Sequence, residues 1–263
     1  MRVAIFQSMA VGRGADTRLE RLGSAMARAA ANGVELLVCP ELYMSGYNIG
    51  DALPERAESG DGAFARAAAK LAKWHGVAVV YGFPERDSGV LYNAAICISG
   101  EGQTLAIHRK RVLPPGAEAK YFTTGTGDTL FELGGLKAAL VICYEAEFPE
   151  AVRNVAQAGA DLVVAPTALG TAWPHVAHKV IPTRAFENGI YLAYANHAGE
   201  EAGLNYLGAS CIVGPDGHDL ARAGAGEELI VATISREAVE AARERLPYLR
   251  DCAAFPDKMK GRG

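Results

Sequence analysis

The sequence is short of the features that mark several protein classes. Its charge is nearly balanced, 26 lysines and arginines against 30 aspartates and glutamates for a formal net charge of −4, so it lacks the basic footprint of a nucleic-acid binder. No apolar run reaches the roughly 18 residues of a membrane-spanning helix, and the start, MRVAIFQSMAVGRG, lacks the apolar stretch of a signal peptide. The chain is therefore expected to be neither exported nor inserted in a membrane. Cysteine is sparse, five residues and no C-x-x-C pair, which argues against a zinc knuckle or redox motif and fits a reducing cytoplasm. Internal repeats and Ser/Pro-rich linkers are absent as well. What remains, 263 residues that are 50% hydrophobic and 21% charged, is the composition of an ordinary globular fold with enough chain for a deep core. Small molecules or other proteins are the expected partners.

Along the chain, apolar runs alternate with amphipathic segments. RVAIFQ at 2–7 reads as a strand, and Leu19, Leu22, Met26 and Ala29 then recur at helical spacing after Asp16, a plausible N-cap, with Asn32-Gly33 closing the helix. VELLVCP at 34–40 and VAVVYGF at 77–83 are further buried strands, separated by an Ala-rich helix at about 61–75. Segments 89–100, 104–112 and 129–143 are strand-like, with turn signals at Ser99-Gly100 and Gly134-Gly135, which predicts antiparallel hairpins. The alternation then resumes with a helix at about 148–159, strand 161–166, helix 175–188 and strand 190–196. A hairpin signal at Gly214-Pro215-Asp216-Gly217, a strand at 228–234 and a charged helix at about 235–245 follow. One mixed α/β domain over 1–245, with a polar tail at 246–263, is the economical reading.

Three strand ends carry chemistry. Cys143 closes KAALVIC just before a helix, where first-turn N–H groups and the helix dipole favour a thiolate. Cysteine is also among the most buried residue types, so the isolated residue reads first as a buried structural one. Glu41 follows a buried strand, at the edge where open α/β sheets place ligands. The cluster His108-Arg109-Lys110-Arg111 ends another strand, where a basic run often serves only to protect a sheet edge.

Taken in order, these segments resemble the nitrilase-like carbon–nitrogen hydrolases. Pro40-Glu41 with Gly46-Tyr47, Arg109-Lys110-Arg111-Val112-Leu113, Cys143-Tyr144-Glu145 with Phe148-Pro149-Glu150, and Arg184-Ala185-Phe186-Glu187-Asn188 are similar to the family's motifs. Val112 stands where the family usually has His. The resemblance implies a four-layer α-β-β-α sandwich and a Glu-Lys-Cys triad of Glu41, Lys110 and Cys143. It also implies a second glutamate, Glu118, which holds Lys110 or the substrate unless it is a surface acid.

On that resemblance the chain is a cofactor-free, metal-free amidase. Glu41 would move protons, with a pKa raised by burial and opposed by Lys110. Lys110 and the Tyr144 N–H would stabilise the oxyanion. A thioester acyl-enzyme would form with release of ammonia. CPELYMSGYNIG, VVYGFPER and CYEAEFPE resemble most the branch of aliphatic amidases that includes 5-aminopentanamidase and stereoselective bacterial amidases. Tyr47, Tyr144, Glu145 and Trp173 are the candidate substrate-binding residues. The acids after the nucleophile would repel a carboxylate-bearing substrate, whereas an amine-bearing one would be compatible with Glu145 or Glu147. Trp173 fits core or interface packing as well as a pocket wall. His175 and His178 have a metal-compatible spacing but no third ligand nearby, which favours packing or surface roles. The family pairs its subunits through helices, so a homodimer or larger assembly is expected. A nitrile or carbamoyl-amide hydrolase, or a silent binding member, are the alternatives.

Overall fold

The computed structural model of the chain describes residues 1–10 and 14–255. The chain begins with β1 (Arg2–Gln7), α1 (Ala15–Ala31), β2 (Leu36–Val38), α2 (Ala63–His75) and β3 (Ala78–Asp87). Two hairpin strands follow, β4 (Val90–Ile98) and β5 (Thr104–Arg109), then the short α3 (Ala117–Tyr121). The second half opens with β6 (Thr129–Leu133), β7 (Leu136–Leu140), α4 (Pro149–Gln157), β8 (Leu162–Pro166), α5 (Ile181–Phe186) and β9 (Tyr191–Ala195). It closes with β10 (Glu200–Glu201), β11 (Leu204–Asn205), β12 (Cys211–Val213), β13 (Asp219–Arg222), β14 (Glu228–Thr233), α6 (Arg236–Arg245) and α7 (Tyr248–Asp251).

Two six-stranded mixed sheets result, in the orders β14-β1-β2-β3-β4-β5 and β13-β12-β9-β8-β7-β6. Each has three parallel strands at its centre, β1, β2 and β3 in one and β7, β8 and β9 in the other, with antiparallel strands outside. No repeat in the sequence announces this likeness of the two halves.

The alternation of side chains along β1 builds the layers. Val3 and Ile5 face the other sheet and join a core with Leu140, Val164, Ala193 and Ile212. Ala4 and Phe6 face outward, onto Leu22 and Met26 of α1 and Ala68 of α2. On the far side, Ala139, Val163 and Leu192 pack under Val152 of α4 and Ile181 of α5. Helix, sheet, sheet, helix is the four-layer α-β-β-α sandwich. The Gly134-Gly135 turn joins β6 to β7 with both residues at positive φ, +57° and +76°, the two-residue hairpin geometry that glycine adopts without strain.

Two expectations need adjustment. The N-cap of α1 is Gly14, and Asp16 lies in the first turn, where its charge still favours the helix N-terminus. The helix expected at about 175–188 is present over 174–186, but it widens to a π turn over Val176–Val180 before α5. The first part of the tail docks on its own chain: Tyr248 meets Phe186 edge-on at 5.7 Å, and Gln157 reaches Cys252 at 3.2 Å. Residues 256–263 lie outside those described. No helix among the described residues is long and apolar enough to cross a membrane.

Candidate active site

Glu41, Lys110 and Cys143 come from three chain turns that follow β2, β5 and β7. The first two strands belong to one sheet and the third to the other, so the site straddles the seam between them. The turn carrying Glu41 is held from several sides. Its backbone N–H donates to Thr167 O at 3.3 Å, across to the end of β8, and its carbonyl accepts from His197 Nε2 at 2.8 Å. Burial lowers the His197 pKa to about 4, so its imidazole is neutral and the ring nitrogen that meets the carbonyl carries the proton. The next residue, Leu42, sits at φ +47°, a strained geometry that the surrounding bonds enforce. Gly82 of β3 leaves room for this turn: a Cβ there would lie 2.2 Å from Leu42 N and 2.7 Å from Glu41 Cα.

The ammonium of Lys110 is fully buried and surrounded by acid. Its Nζ donates to Glu41 Oε1 at 2.7 Å and to both oxygens of Glu118 at 2.8 Å. Asn93 Nδ2 bridges the same two acids, at 2.7 Å to Glu41 and 2.9 Å to Glu118, and Tyr47 OH donates to Glu118 at 2.7 Å. Burial pulls the Lys110 pKa down, but the Glu41 and Glu118 carboxylates outweigh it and hold the ammonium charged. Burial likewise lifts Glu41, opposed by Lys110 and reinforced by Glu118, to about 7. Its second oxygen, Oε2, has no hydrogen-bond partner among the described residues. One oxygen of Glu41 is thus committed to the ammonium and the other is open to take a proton.

Cys143 is the strained residue of the opposite turn, at φ +46° between β7 and a 3₁₀ turn over Cys143–Glu147. Burial and then the Glu41 charge push its thiol pKa well up, whereas Lys110 and a backbone hydrogen bond from Ala168 pull it down. The resting sulfur is therefore a thiol. It opens into a cleft of about 710 Å³, lined also by Tyr47, Pro114, Pro115, Tyr144, Glu147, Trp173 and the 168–172 and 203–205 loops.

Tyr47, Tyr144 and Trp173 line this cleft, with Trp173 57% exposed. Glu145 does not. It is fully buried behind the turn, where Oε2 meets His108 Nε2 at 2.9 Å and accepts from Ile142 N at 2.8 Å, and Oε1 accepts from Arg111 Nε at 3.1 Å. Burial acts to raise its carboxyl, but these partners outweigh it and hold it below the usual range. Glu145 thereby ties the Cys143 turn to the end of β5, with Lys110 between its two basic partners. Glu118 is buried in the cluster and is no surface acid.

Asn93 escaped the sequence reading, although an asparagine within the apolar run NAAICI is itself a signal of a buried polar contact. Glu201 escaped it too. Its carboxylate accepts from Tyr47 N at 2.9 Å, Asn48 N at 2.7 Å and Arg18 Nη2 at 3.3 Å, fastening the Glu41 loop to the β10–β11 hairpin. No group of three metal-ligating side chains occurs among the described residues.

A buried carboxylate–ammonium pair thus lies beside a strained thiol on a four-layer sandwich. The chain belongs to the carbon–nitrogen hydrolase family, whose model matches residues 2–244. It is 41% identical over 254 residues to a protein of Pseudomonas protegens described as a hydrolase in the pqqF 5′ region, covering 95% of this chain and 88% of that one. It is 33% identical over 243 residues to an (R)-stereoselective amidase of a Pseudomonas species, covering 91% and 88%. Among solved structures, the NitN amidase from Nesterenkonia sp. AN1 superposes with a TM-score of 0.87 at 33% identity, covering 97% of each chain. A variant of that amidase carries the acetamide moiety of fluoroacetamide covalently on its active-site cysteine. The protein is an enzyme that hydrolyses carbon–nitrogen bonds other than peptide bonds.

Proposed function

We propose that this enzyme hydrolyses a small aliphatic carboxamide to the carboxylic acid and ammonia, with Cys143 as nucleophile. The observation that carries the reading is Glu41: a buried carboxyl with a pKa of about 7, one oxygen on Lys110 and the other without a partner. Such a group accepts and returns protons near neutral pH.

Glu41 takes the thiol proton as sulfur bonds to the carbonyl carbon. The oxyanion is stabilised by the Lys110 ammonium and the Tyr144 backbone N–H, and loss of one such donor typically costs about 10²–10³ in rate. Glu41 then gives its proton to the departing nitrogen, the carbon–nitrogen bond breaks, and ammonia leaves a thioester. Water attacks the thioester as Glu41 takes its proton, the carbon–sulfur bond breaks to free the acid, and Glu41 returns the proton to the Cys143 thiolate. Glu118 and Asn93 hold Lys110 and Glu41 in register throughout.

The cleft supports an amide of modest size, since its walls beyond the sulfur are largely apolar and aromatic. Among the described residues no lysine, arginine or histidine lines it, which counts against carbamoyl amino acids and other anionic substrates. The family resemblance also supports a homodimer or larger assembly, which sedimentation would measure.

The test is ammonia release from a panel of small amides, with intact-mass detection of an acyl adduct. Cys143→Ala should abolish both. Turnover that survives the substitution would remove the thiol mechanism, and a well-folded protein inert to every amide, nitrile and carbamoyl compound would favour a binding role.

A further inference from the structure

The segment just after β8 touches both the base and the nucleophile. The Thr167 carbonyl accepts the Glu41 backbone N–H at 3.3 Å, and the N–H of the next residue, Ala168, donates to the Cys143 sulfur. Ala168 and Leu169 also line the cleft. What holds this segment in place lies outside the triad, at the end of β9.

Asn196, the residue after β9, is fully buried. A side-chain amide has two donor and two acceptor positions, and here all four are filled. Oδ1 accepts from Leu169 N–H at 2.8 Å and from His197 N–H at 2.9 Å, and Nδ2 donates to Leu169 O at 3.1 Å and to Gly208 O at 2.9 Å. One side chain thus grips Leu169 by its N–H and its carbonyl together. Thr167 is fastened beside it, its N–H donating to Ala195 O at 2.8 Å. Ala168 is the residue between these two pins. An aliphatic side chain at position 196 would fill the same space but leave the Leu169 N–H without this partner.

We propose that Asn196 is a positioning residue for the nucleophile: through Leu169 it aims the Ala168 N–H at the Cys143 sulfur. Negative charge on sulfur then meets a fixed donor when the thiol proton leaves, and again when the carbon–sulfur bond of the thioester breaks. A donor set in place before the charge develops needs no reorganisation at that moment. The proposal rests on the thiol mechanism above and deepens it.

The test uses iodoacetamide, a small neutral electrophile from which a thiolate displaces iodide, with mass spectrometry resolving each cysteine. In Asn196→Ala, alkylation of Cys143 near neutral pH should slow roughly tenfold, the effect of weakening one hydrogen bond to a charged atom. The deficit should shrink as pH rises and the thiol ionises in both proteins. Cys39, Cys97 and Cys211 are fully buried and report opening of the fold. Mere loosening would speed their alkylation and that of Cys143 as well, the opposite sign. Asn196→Ser, whose side chain is too short to grip Leu169 at both points, is the second variant and serves if the alanine variant does not fold. In either variant kcat for the best amide of the panel should fall together with Cys143 alkylation. Cys143 alkylated at the parent rate or faster would overturn the assignment. Alkylation needs no amide turnover, which keeps the two readings apart. Amide hydrolysis that survives Cys143→Ala sinks the thiol mechanism, whereas alkylation indifferent to Asn196 sinks the positioning role alone.

Discussion

Replacing Glu118 by Gln removes one of the two carboxylates that share the Lys110 ammonium. Lys110 Nζ donates to Glu41 Oε1 at 2.7 Å and to Glu118 at 2.8 Å, so the bonded oxygens of the two acids lie no more than about 5.5 Å apart. Like charges at about 5.5 Å, in an effective dielectric near 20, repel by about 3 kcal/mol, equivalent to roughly 2 pH units. Burial is the largest cause of the high Glu41 pKa, Lys110 opposes it, and the Glu118 charge adds to it. The sign follows: with position 118 neutral, Glu41 ionises at lower pH. Because the proposed base works only when ionised, kcat/KM of the parent enzyme should rise with pH through about 7. In Glu118→Gln that acid limb should move down by about 1–2 units. The assay is ammonia release across the pH range at limiting amide. The maximum rate will also fall as Lys110 loses a partner, but the position of the limb is read independently of its height. A limb that stays in place or moves up refutes the electrostatic account of Glu41.

Two further outcomes follow from the same geometry. The folded-state pKa of Glu41, about 7 against an ordinary 4.5, means the native state binds its proton more tightly than the unfolded chain. Stability from this group is therefore lost as pH rises from about 4.5 to 7, and Glu41→Gln, though inactive, should be more stable than the parent at pH 8 by about 1–3 kcal/mol in urea unfolding. No gain at pH 8 would show that ionised Glu41 is not a strained group. Gly82→Ala puts a methyl 2.2 Å from Leu42 N, so the Glu41 turn must shift. Overpacking of this kind typically costs about 1–3 kcal/mol, with a larger proportional loss of turnover. Full activity in a variant of unchanged melting temperature would contradict the role given to this glycine.

What could be read from the chain is what depends on neighbours in sequence. Glu41 and Cys143 each follow a run of apolar residues, and a strand end is the edge of a sheet whatever the rest of the fold does. The Gly134-Gly135 hairpin was legible for the same reason, because its turn chemistry is local. Glu145 and Glu147 are alike as sequence, two acids on one turn. Only the return of β5 beside β7, which brings His108 and Arg111 over Glu145, distinguishes the buried clamp from the residue facing the cleft. Asn93 and Glu201 act on partners dozens of residues away or more, and no local pattern encodes such distances. The π turn at 176–180 was missed because its spacing differs by one residue from the helix that periodicity predicts.

The seam between the sheets has a consequence for how the enzyme fails. Two of the three groups at the site ride on one sheet and the sulfur on the other, and they are aligned by the packed layer between, by the Glu145 clamp, and by the hydrogen bonds that tie the Glu41 backbone to Thr167 and His197. A slip of one sheet over the other by a fraction of a side chain would leave every strand and helix intact and still part thiol from carboxylate. Turnover is thus a strain gauge for the midplane of the sandwich. On warming it should fade while circular dichroism still reports a full complement of secondary structure.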